Sequence, residues 1–272
     1  MTSENARFAF GENWRKFLPL VDEPRIRAAE RSLCEMLEVP DLTGKTALDV
    51  GCGSGLFSLA ARRLGARVRS FDRDQVSVDC TLALRRQHFP DDDAWQVEQG
   101  SVLDAGFVAR LGQYDVVYAW GVLHHTGAMW QAFENTVQTV RPGGRLFVAI
   151  YNDQGRVSDL WRVVKRAYCS GTAGKVAVSS VFMPYFAVGC FVMDLARLRN
   201  PLRRYRDRDD ERGMAVFRDW VDWLGGYPFE VAKPEKVLAY HRKHGFRLDR
   251  LTTRHSGCNE FVFTLSHAAT RG

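Results

Sequence analysis

The sequence predicts an α/β fold: a doubly wound, mostly parallel seven-stranded sheet with an antiparallel last strand and an inserted cap. Three observations favour it. Short apolar runs alternate with segments of helical periodicity. The first of these runs is followed directly by a glycine loop and a helix. The last two runs are separated by a short loop at 252–259, which favours an antiparallel hairpin.

The first half of the chain supplies five of the predicted strands. Apolar periodicity predicts a helix at 24–38, after an aromatic N-terminal segment. The strands are predicted at 46–50, 66–71, 95–99, 114–119 and 145–151. Helices are predicted between them at 56–64, 75–88 and 128–140, and Pro142-Gly143-Gly144 predicts a turn.

The strand–helix rhythm stops after Tyr151 and returns with a helix at 233–244 and strands at 246–251 and 260–265. We therefore divide the chain into an N-terminal lid and core (1–154), an inserted cap (155–225) and the C-terminal part of the core sheet (226–272).

Within the insertion, residues 176–193 carry no charge, and their 18 residues just reach the length of a membrane-spanning helix. Pro184 and Gly189 interrupt the stretch. We favour a buried cap. The alternatives are a membrane-spanning helix and an apolar surface that either touches a membrane or admits a lipophilic small molecule.

Six arginines follow this stretch. They could meet lipid headgroups or RNA phosphates, or they could form a solvated surface with the acidic residues after them. These are Arg197, Arg199, Arg203, Arg204, Arg206 and Arg208.

Composition sets weaker bounds. The net charge of +6 is compatible with anionic partners but selects none. The six cysteines form no CxxC pair, so neither a zinc site nor a disulfide framework is expected. The polar N-terminal segment has no apolar core typical of a signal peptide, and we expect a cytoplasmic location.

The glycine loop is the first chemical motif. Asp49-Val50-Gly51-Cys52-Gly53-Ser54-Gly55 joins a strand to a helix, and free amides there can bind an anionic group. Leu56 stands where a dinucleotide-binding loop needs its third glycine, which argues against an NAD enzyme. Asp72, at the end of the second strand, can accept hydrogen bonds from ribose hydroxyls. Asp74 is the fallback for that role, although it suits a helix N-cap better.

A second motif, Ala119-Trp120-Gly121-Val122-Leu123-His124-His125, follows the fourth strand. Together with LDVGCGSG and RPGG it resembles the class I S-adenosylmethionine-dependent methyltransferases over residues 47–151. More loosely, the chain is similar to the ubiquinone- and menaquinone-biosynthesis type and to bacterial natural-product small-molecule methyltransferases. The fold implied is Rossmann-like, and the cofactor implied is S-adenosyl-L-methionine.

The resemblance implies a set of cofactor-binding residues along the strand ends. In this class the loop after the third strand holds the adenine, often through an acidic side chain. Ser101 occupies that position here. Asp104 is therefore the candidate to replace the missing acidic side chain, and the backbone of Val102 is the firmer contact with the adenine. The implied set is Asp49, Gly51, Cys52, Gly53, Gly55, Asp72, Ser101, Val102, Ala119 and Trp120.

His125 matches the histidine that faces the cleft in these enzymes. A histidine of near-neutral pKa can accept the proton of a hydroxyl acceptor, so His125 is the candidate general base; the alternative is a cleft-lining residue. His124 and His125 are adjacent and point in different directions, so no metal site is expected. Candidate acceptor contacts are His124, Tyr151, Asn152, Arg254 and His255.

The leading hypothesis is methyl transfer to a small-molecule acceptor, most simply to an oxygen atom of that molecule. Methylation of a nitrogen or a carbon atom is the alternative. Peripheral membrane contact through the cap is a further expectation, and no oligomeric state is indicated. An RNA methyltransferase is the first rival, but no appended RNA-binding module is recognisable. A non-catalytic binding protein is a second rival, which the intact glycine loop argues against. The aromatic segment Phe8, Phe10, Trp14 and Phe17 is interpreted as a lid, or as a packed aromatic patch.

Overall fold

A computed structural model of the chain describes residues 8–198, 200 and 216–267. Its centre is a seven-stranded sheet in the order β3-β2-β1-β4-β5-β7-β6. The strands are β1 (Thr46–Val50), β2 (Arg67–Asp72), β3 (Trp95–Gln99), β4 (Tyr114–Trp120), β5 (Val140–Tyr151), β6 (Phe246–Thr252) and β7 (Cys258–Leu265). β1 to β5 pair in parallel, and β7 is antiparallel to both β5 and β6. The predicted fold class is therefore confirmed.

Helices cover both faces of the sheet. They are α1 (Phe10–Phe17), α2 (Glu23–Leu37), α3 (Leu56–Arg63), α4 (Gln75–His88), α5 (Ala105–Leu111), α6 (Met129–Val137), α7 (Arg156–Tyr168), α8 (Thr172–Ala196), α9 (Val216–Gly225) and α10 (Pro234–Lys243). One buried cluster joins the sheet to α2 and α3 through Leu33 and Leu59. The other joins it to α5, α6 and α10 through Phe107, Phe133 and Val237. The layers are those of a doubly wound sheet.

The start of the fifth strand differs from the prediction. Helix α6 ends at Val137 rather than at 140, and β5 already begins at Val140. The predicted turn Pro142-Gly143-Gly144 is instead part of this strand. The pairing with β4 jumps from Tyr114↔Val140 to Val116↔Arg145, so the turn residues form an irregularity within the strand.

The insertion between β5 and β6 contains α7, α8 and α9. Helix α8 includes the uncharged stretch, and Asp194 is its one buried residue. The expectation of a buried cap is therefore wrong for α8, whose apolar side chains are largely exposed. Among the described residues α8 is the helix long and apolar enough to cross a membrane. Of the six arginines after it, Arg199, Arg203, Arg204, Arg206 and Arg208 lie outside the described residues.

Candidate active site

Two adjoining cavities lie at the carboxyl ends of the parallel strands, where ligands of doubly wound sheets bind. The β2-side cavity, of about 620 Å³, is bounded by the ends of β2 and β3. The β5-side cavity, of about 410 Å³, is bounded by the glycine loop and the ends of β5 and β7. Their shared wall consists of Phe10, Trp14, Gly51, Trp120, Gly121 and His125. A ligand extending from one cavity into the other passes this wall.

The glycine loop turns between β1 and α3 in a conformation that excludes side chains. Gly51 and Gly53 have φ angles of 75° and 55°, in the left-handed region. A Cβ on Gly51 would lie 2.5 Å from Val122 Cγ1, and one on Gly53 would lie 2.9 Å from Trp14 Nε1. Both glycines and Cys52 line the β5-side cavity. Gly55 does not line either cavity; it precedes α3 and packs against Thr81.

Asp49 is a buried carboxyl group in the wall of the β5-side cavity. Its Oδ2 accepts a hydrogen bond from Ser58 Oγ at 2.5 Å. Burial raises the pKa of Asp49 to about 7, and the Ser58 hydrogen bond partly opposes that rise. The carboxyl group therefore changes charge close to neutral pH.

Asp72 and Asp74 both line the β2-side cavity, and Asp74 also makes structural hydrogen bonds. Asp72 Oδ2 accepts from Gly53 N at 3.1 Å, which ties the end of β2 to the glycine loop. Burial raises the Asp72 pKa to about 6. Asp74 is the N-cap of α4, and its Oδ1 accepts from Val76 N at 3.0 Å. Its Oδ2 accepts from Gly11 N at 2.9 Å and so holds α1.

The loop after β3 contributes backbone and small side chains to the β2-side cavity. Ser101 and Val102 both line it. Ser101 Oγ accepts from Leu103 N at 3.2 Å, and the Val102 carbonyl accepts from Asn135 Nδ2 at 2.8 Å. Asp104 is the N-cap of α5, where its Oδ1 accepts from Phe107 N. It does not border the cavity, so it does not substitute for the missing acidic residue.

The end of β4 separates the two cavities. Trp120 lines both, but Ala119, predicted to touch the cofactor, is fully buried in the core. Trp120 Nε1 donates to Glu260 Oε1 at 2.9 Å. Glu260 is nearly buried and lines the β5-side cavity. The sequence analysis missed it, because 140 residues separate the two partners and no local motif marks the pair.

His125 borders both cavities and is held by a backbone carbonyl. Its Nδ1 lies 2.7 Å from the Pro228 carbonyl oxygen. A carbonyl only accepts, so Nδ1 carries the proton and Nε2 is the unprotonated nitrogen of the neutral ring. Burial lowers the pKa of His125 to about 3; its hydrogen bond to Pro228 opposes the fall, and the charge of Lys165 adds to it. The near-neutral pKa assumed from the sequence is therefore wrong.

His124 is fully buried beneath His125, with their ring centroids 4.3 Å apart. Its ring centroid lies 4.2 Å from that of Tyr151, and it also lines the β5-side cavity. Burial lowers the pKa of His124 well below its usual range, with His125 and Lys165 adding to the effect. Both histidines are therefore neutral at physiological pH.

The remaining predicted acceptor contacts divide into two groups. Tyr151 and Arg254 line the β5-side cavity. Asn152 and His255 do not border it. Asn152 Nδ2 instead donates to the carbonyls of Arg254 and His255, at 3.2 and 3.3 Å. Asn152 thus fastens the β6–β7 loop to the end of β5 and has a structural role.

The N-terminal aromatic residues also divide. Phe10 and Trp14 lie on the shared wall of the two cavities, and the Phe10 ring is tilted against the His125 ring with centroids 4.9 Å apart. Phe17 is fully buried in the core. Helix α1 therefore covers the glycine loop with one side and anchors itself with the other, which is the arrangement of a lid.

The insertion reaches the β5-side cavity through Trp223 of α9. Trp223 packs against Trp161 of α7, with ring centroids 3.9 Å apart. Lys165 of α7 is fully buried; its Nζ donates to the Trp223 carbonyl and lies 5.5 Å from the Tyr151 ring centroid. The sequence analysis missed Trp223 and Lys165, since neither belongs to a spacing motif.

Comparison with known proteins agrees with this geometry. Residues 48–146 match the family model of the methyltransferase domain. The ubiquinone biosynthesis O-methyltransferase of Pseudomonas paraeruginosa (strain DSM 24068 / PA7) is 32% identical over 118 residues, 41% of this chain and 46% of that protein. The ribosomal protein L11 methyltransferase of Helicobacter hepaticus (strain ATCC 51449 / 3B1) is 37% identical over 93 residues, 34% of this chain and 28% of that protein. The match thus spans less than half of the length of either relative.

The fold has solved counterparts. Magnesium protoporphyrin IX methyltransferase from Synechocystis PCC 6803, with bound SAH (S-adenosylhomocysteine), superposes with a TM-score of 0.55 and 13% identity. The superposition covers 94% of each chain. Residues 48–146 are thus similar to a methyltransferase domain, and the fold is similar to that of a methyltransferase solved with bound S-adenosylhomocysteine.

Proposed function

We propose that the protein transfers the methyl group of S-adenosyl-L-methionine to an oxygen atom of a small, lipophilic acceptor. The observation that carries the proposal is the shared wall of the two cavities. A cofactor in the β2-side cavity would reach the β5-side cavity past Gly51, Trp120 and His125. Its methionine end would then lie beside the glycine loop in the β5-side cavity, and the rest of that cavity, which measures about 410 Å³ in all, would admit a small molecule.

The residues present fit this cofactor. Asp72, Ser101 and Val102 line the β2-side cavity, where they would hold the ribose and the adenine. The glycine loop can accept the carboxylate, because its backbone approaches the cavity without side chains. Asp49 would pair with the ammonium group, and a cation there favours the ionised form of its buried carboxyl group.

When bound, the cofactor would supply an electrophilic methyl carbon for the acceptor oxygen, with the sulfur as the leaving group that keeps the electron pair. The chain has to align the acceptor and accommodate the proton that its hydroxyl loses. His125 is neutral, so it can accept a hydrogen bond from that hydroxyl and orient it. With a pKa of about 3, it is a weak base, and we propose orientation as its main contribution.

The character of the acceptor follows from the walls of the β5-side cavity. Aromatic side chains supply much of its surface, including Phe57, Tyr118, Tyr151 and Trp223. Such walls suit an aromatic or otherwise apolar molecule. Transfer to oxygen is supported by the similarity to a ubiquinone biosynthesis O-methyltransferase.

A turnover screen tests the proposal. Purified protein is incubated with S-adenosylmethionine labelled in its methyl group and with quinols, phenols, sugars, total RNA or a protein mixture. The proposal expects label in the organic extract of the quinol or phenol reactions. Label confined to RNA or to protein would contradict it, as would tighter binding of NAD than of S-adenosylmethionine in calorimetry.

A further inference from the structure

Helix α8 exposes an apolar surface that the rest of the chain leaves uncovered. Its large apolar side chains are about half to two-thirds exposed, from 46% for Met193 to 66% for Tyr185. Val181, Tyr185, Val188 and Val192 follow one another at helical spacing on one face. Neighbouring α7 adds exposed Val157, Leu160 and Val163. A contiguous apolar surface of this kind marks an interaction site.

The opposite face of α8 is packed inside the insertion. Phe182 lies 5.2 Å from Trp161 of α7, and Phe186 lies 5.6 Å from Trp223 of α9, measured between ring centroids. The helix is therefore attached to the protein along one side by aromatic contacts. The exposed side is what remains for a partner.

The charges around α8 indicate what that partner is. No charged residue occurs from Val176 to Met193, and the stretch is flanked by exposed Lys175 and Arg197. The sequence from 197 to 215 contains seven arginines and four acidic residues, a net charge of +3. An apolar helix with cationic flanks is typical of contact with anionic lipid headgroups. A second copy of this chain would instead bring the same arginines against them.

The packing of α8 indicates contact with one leaflet rather than a crossing. A crossing by α8 would carry α7 and its charged side chains into the bilayer, because Phe182 of α8 packs on Trp161 of α7. Charged side chains at the bilayer centre are costly. A helix that lies in the headgroup region avoids that cost.

We propose that α8, with its cationic flanks, docks the protein on an anionic phospholipid bilayer. Trp223 contacts Phe186 on the packed face of α8 and also lines the β5-side cavity, so docking through the exposed face of α8 would hold that cavity near the bilayer. A lipophilic acceptor dissolved in the bilayer would then be close to the cavity. This last step rests on the proposed function; the docking does not.

Vesicle flotation of the full chain tests the docking. Vesicles of phosphatidylcholine with about a third phosphatidylglycerol should carry the protein upward, and pure phosphatidylcholine should do so much less. The double variant Val188→Glu/Val192→Glu should lower the partition into anionic vesicles at least about tenfold. The matched control is Leu251→Glu, an exposed apolar position on β6, which should float like the parent.

Two further measurements keep the outcomes distinct. Sedimentation without lipid shows whether the parent is a dimer and the double variant a monomer. A parent that dimerises in this way but does not float would overturn the proposal in favour of self-association. Calorimetry with S-adenosylhomocysteine shows whether each variant is folded and binds cofactor. If the parent binds S-adenosylhomocysteine but does not float, the docking alone is contradicted. If the parent floats but does not bind S-adenosylhomocysteine, the proposed function alone is contradicted.

Discussion

The Ser58 hydroxyl donates to the Asp49 carboxyl group across 2.5 Å, deep beneath the glycine loop. Ser58 Oγ itself accepts from Ser70 Oγ at 2.8 Å, and Ser70 Oγ accepts from Trp95 Nε1 at 3.0 Å. All four residues are buried. This chain of hydrogen bonds crosses from β3 to β1 and fixes the orientation of a carboxyl group in the cavity wall.

Asp49 makes the stability of the protein without cofactor depend on pH. Its pKa is raised from 3.8 to about 7, so between these values the unfolded state has lost a proton that the folded state keeps. Stability is therefore greatest below about pH 4 for this group and falls as pH rises towards 7, by up to about 1.4 kcal/mol per pH unit. Asp49→Asn should remove this contribution. Urea unfolding of both proteins between pH 4 and 8 measures it, and a difference that does not change with pH contradicts it.

Asp72 and Asp74 should separate cofactor binding from helix capping. Asp72→Ala should weaken S-adenosylhomocysteine binding by roughly 1.5–3 kcal/mol, the scale of a hydrogen bond to a charged group. Asp74→Ala should lower the free energy of unfolding by about 1 kcal/mol, because α4 loses its N-cap. Calorimetry and urea unfolding of both variants test the assignment. Unchanged affinity in the first variant with a large loss in the second would move the ribose contact to Asp74.

His125 should influence turnover without titrating in the physiological range. His125→Ala should lower turnover by about 10²-fold, the scale of a misplaced reacting group, because the acceptor loses the side chain that orients it. Because its pKa of about 3 lies below the range measured, His125 should add no inflection to the pH–rate profile between pH 5 and 8. Cofactor affinity should be nearly unchanged.

The matched control for His125 is His255→Ala, an exposed histidine outside both cavities. It should retain the turnover of the parent. An inflection near pH 6–7 that disappears in His125→Ala would contradict the lowered pKa. Turnover of His125→Ala within about threefold of the parent would show that the residue only lines the site.

Gly11 should be essential for seating α1 over the site. A Cβ there would lie 2.4 Å from Asp74 Oδ2 and 2.6 Å from Val76 Cβ, so Gly11→Ala should push α1 away. We expect a loss of about 1–3 kcal/mol in stability, the scale of overpacking, together with weaker S-adenosylhomocysteine binding. Gly189→Ala is the control: nothing lies within 4 Å of its Cβ position, and it should stabilise α8 by up to about 1 kcal/mol. Equal effects of the two changes in thermal unfolding would contradict the steric argument.

The strands and the glycine loop could be predicted from the sequence because their signals are local. β1 is a short apolar run that ends at Gly51, and its observed bounds are the predicted ones. Asp74 could be identified as the better helix cap because capping depends on neighbouring residues. The irregular start of β5 could not, since Pro142-Gly143-Gly144 has the composition of an ordinary turn.

The site was harder to predict where tertiary packing decides it. Ala119 and Gly55 belong to the correct motifs, but packing places them in the core and against Thr81. The pKa of His125 depends on burial and on Lys165, neither of which the spacing of the motif reveals. The exposure of α8 was equally invisible, because an uncharged stretch has the same composition whether it faces a core or a lipid.

Trp223 links α8 thermodynamically to the β5-side cavity, because it is in contact with both. Its indole packs on Phe186 of α8 and also forms part of the cavity wall. Whatever orders this ring from one side lowers the cost of ordering it from the other. Thermodynamic linkage makes this effect reciprocal. If the proposed bilayer strengthens the binding of a molecule in the cavity by some factor, that molecule strengthens the binding of α8 to the bilayer by the same factor.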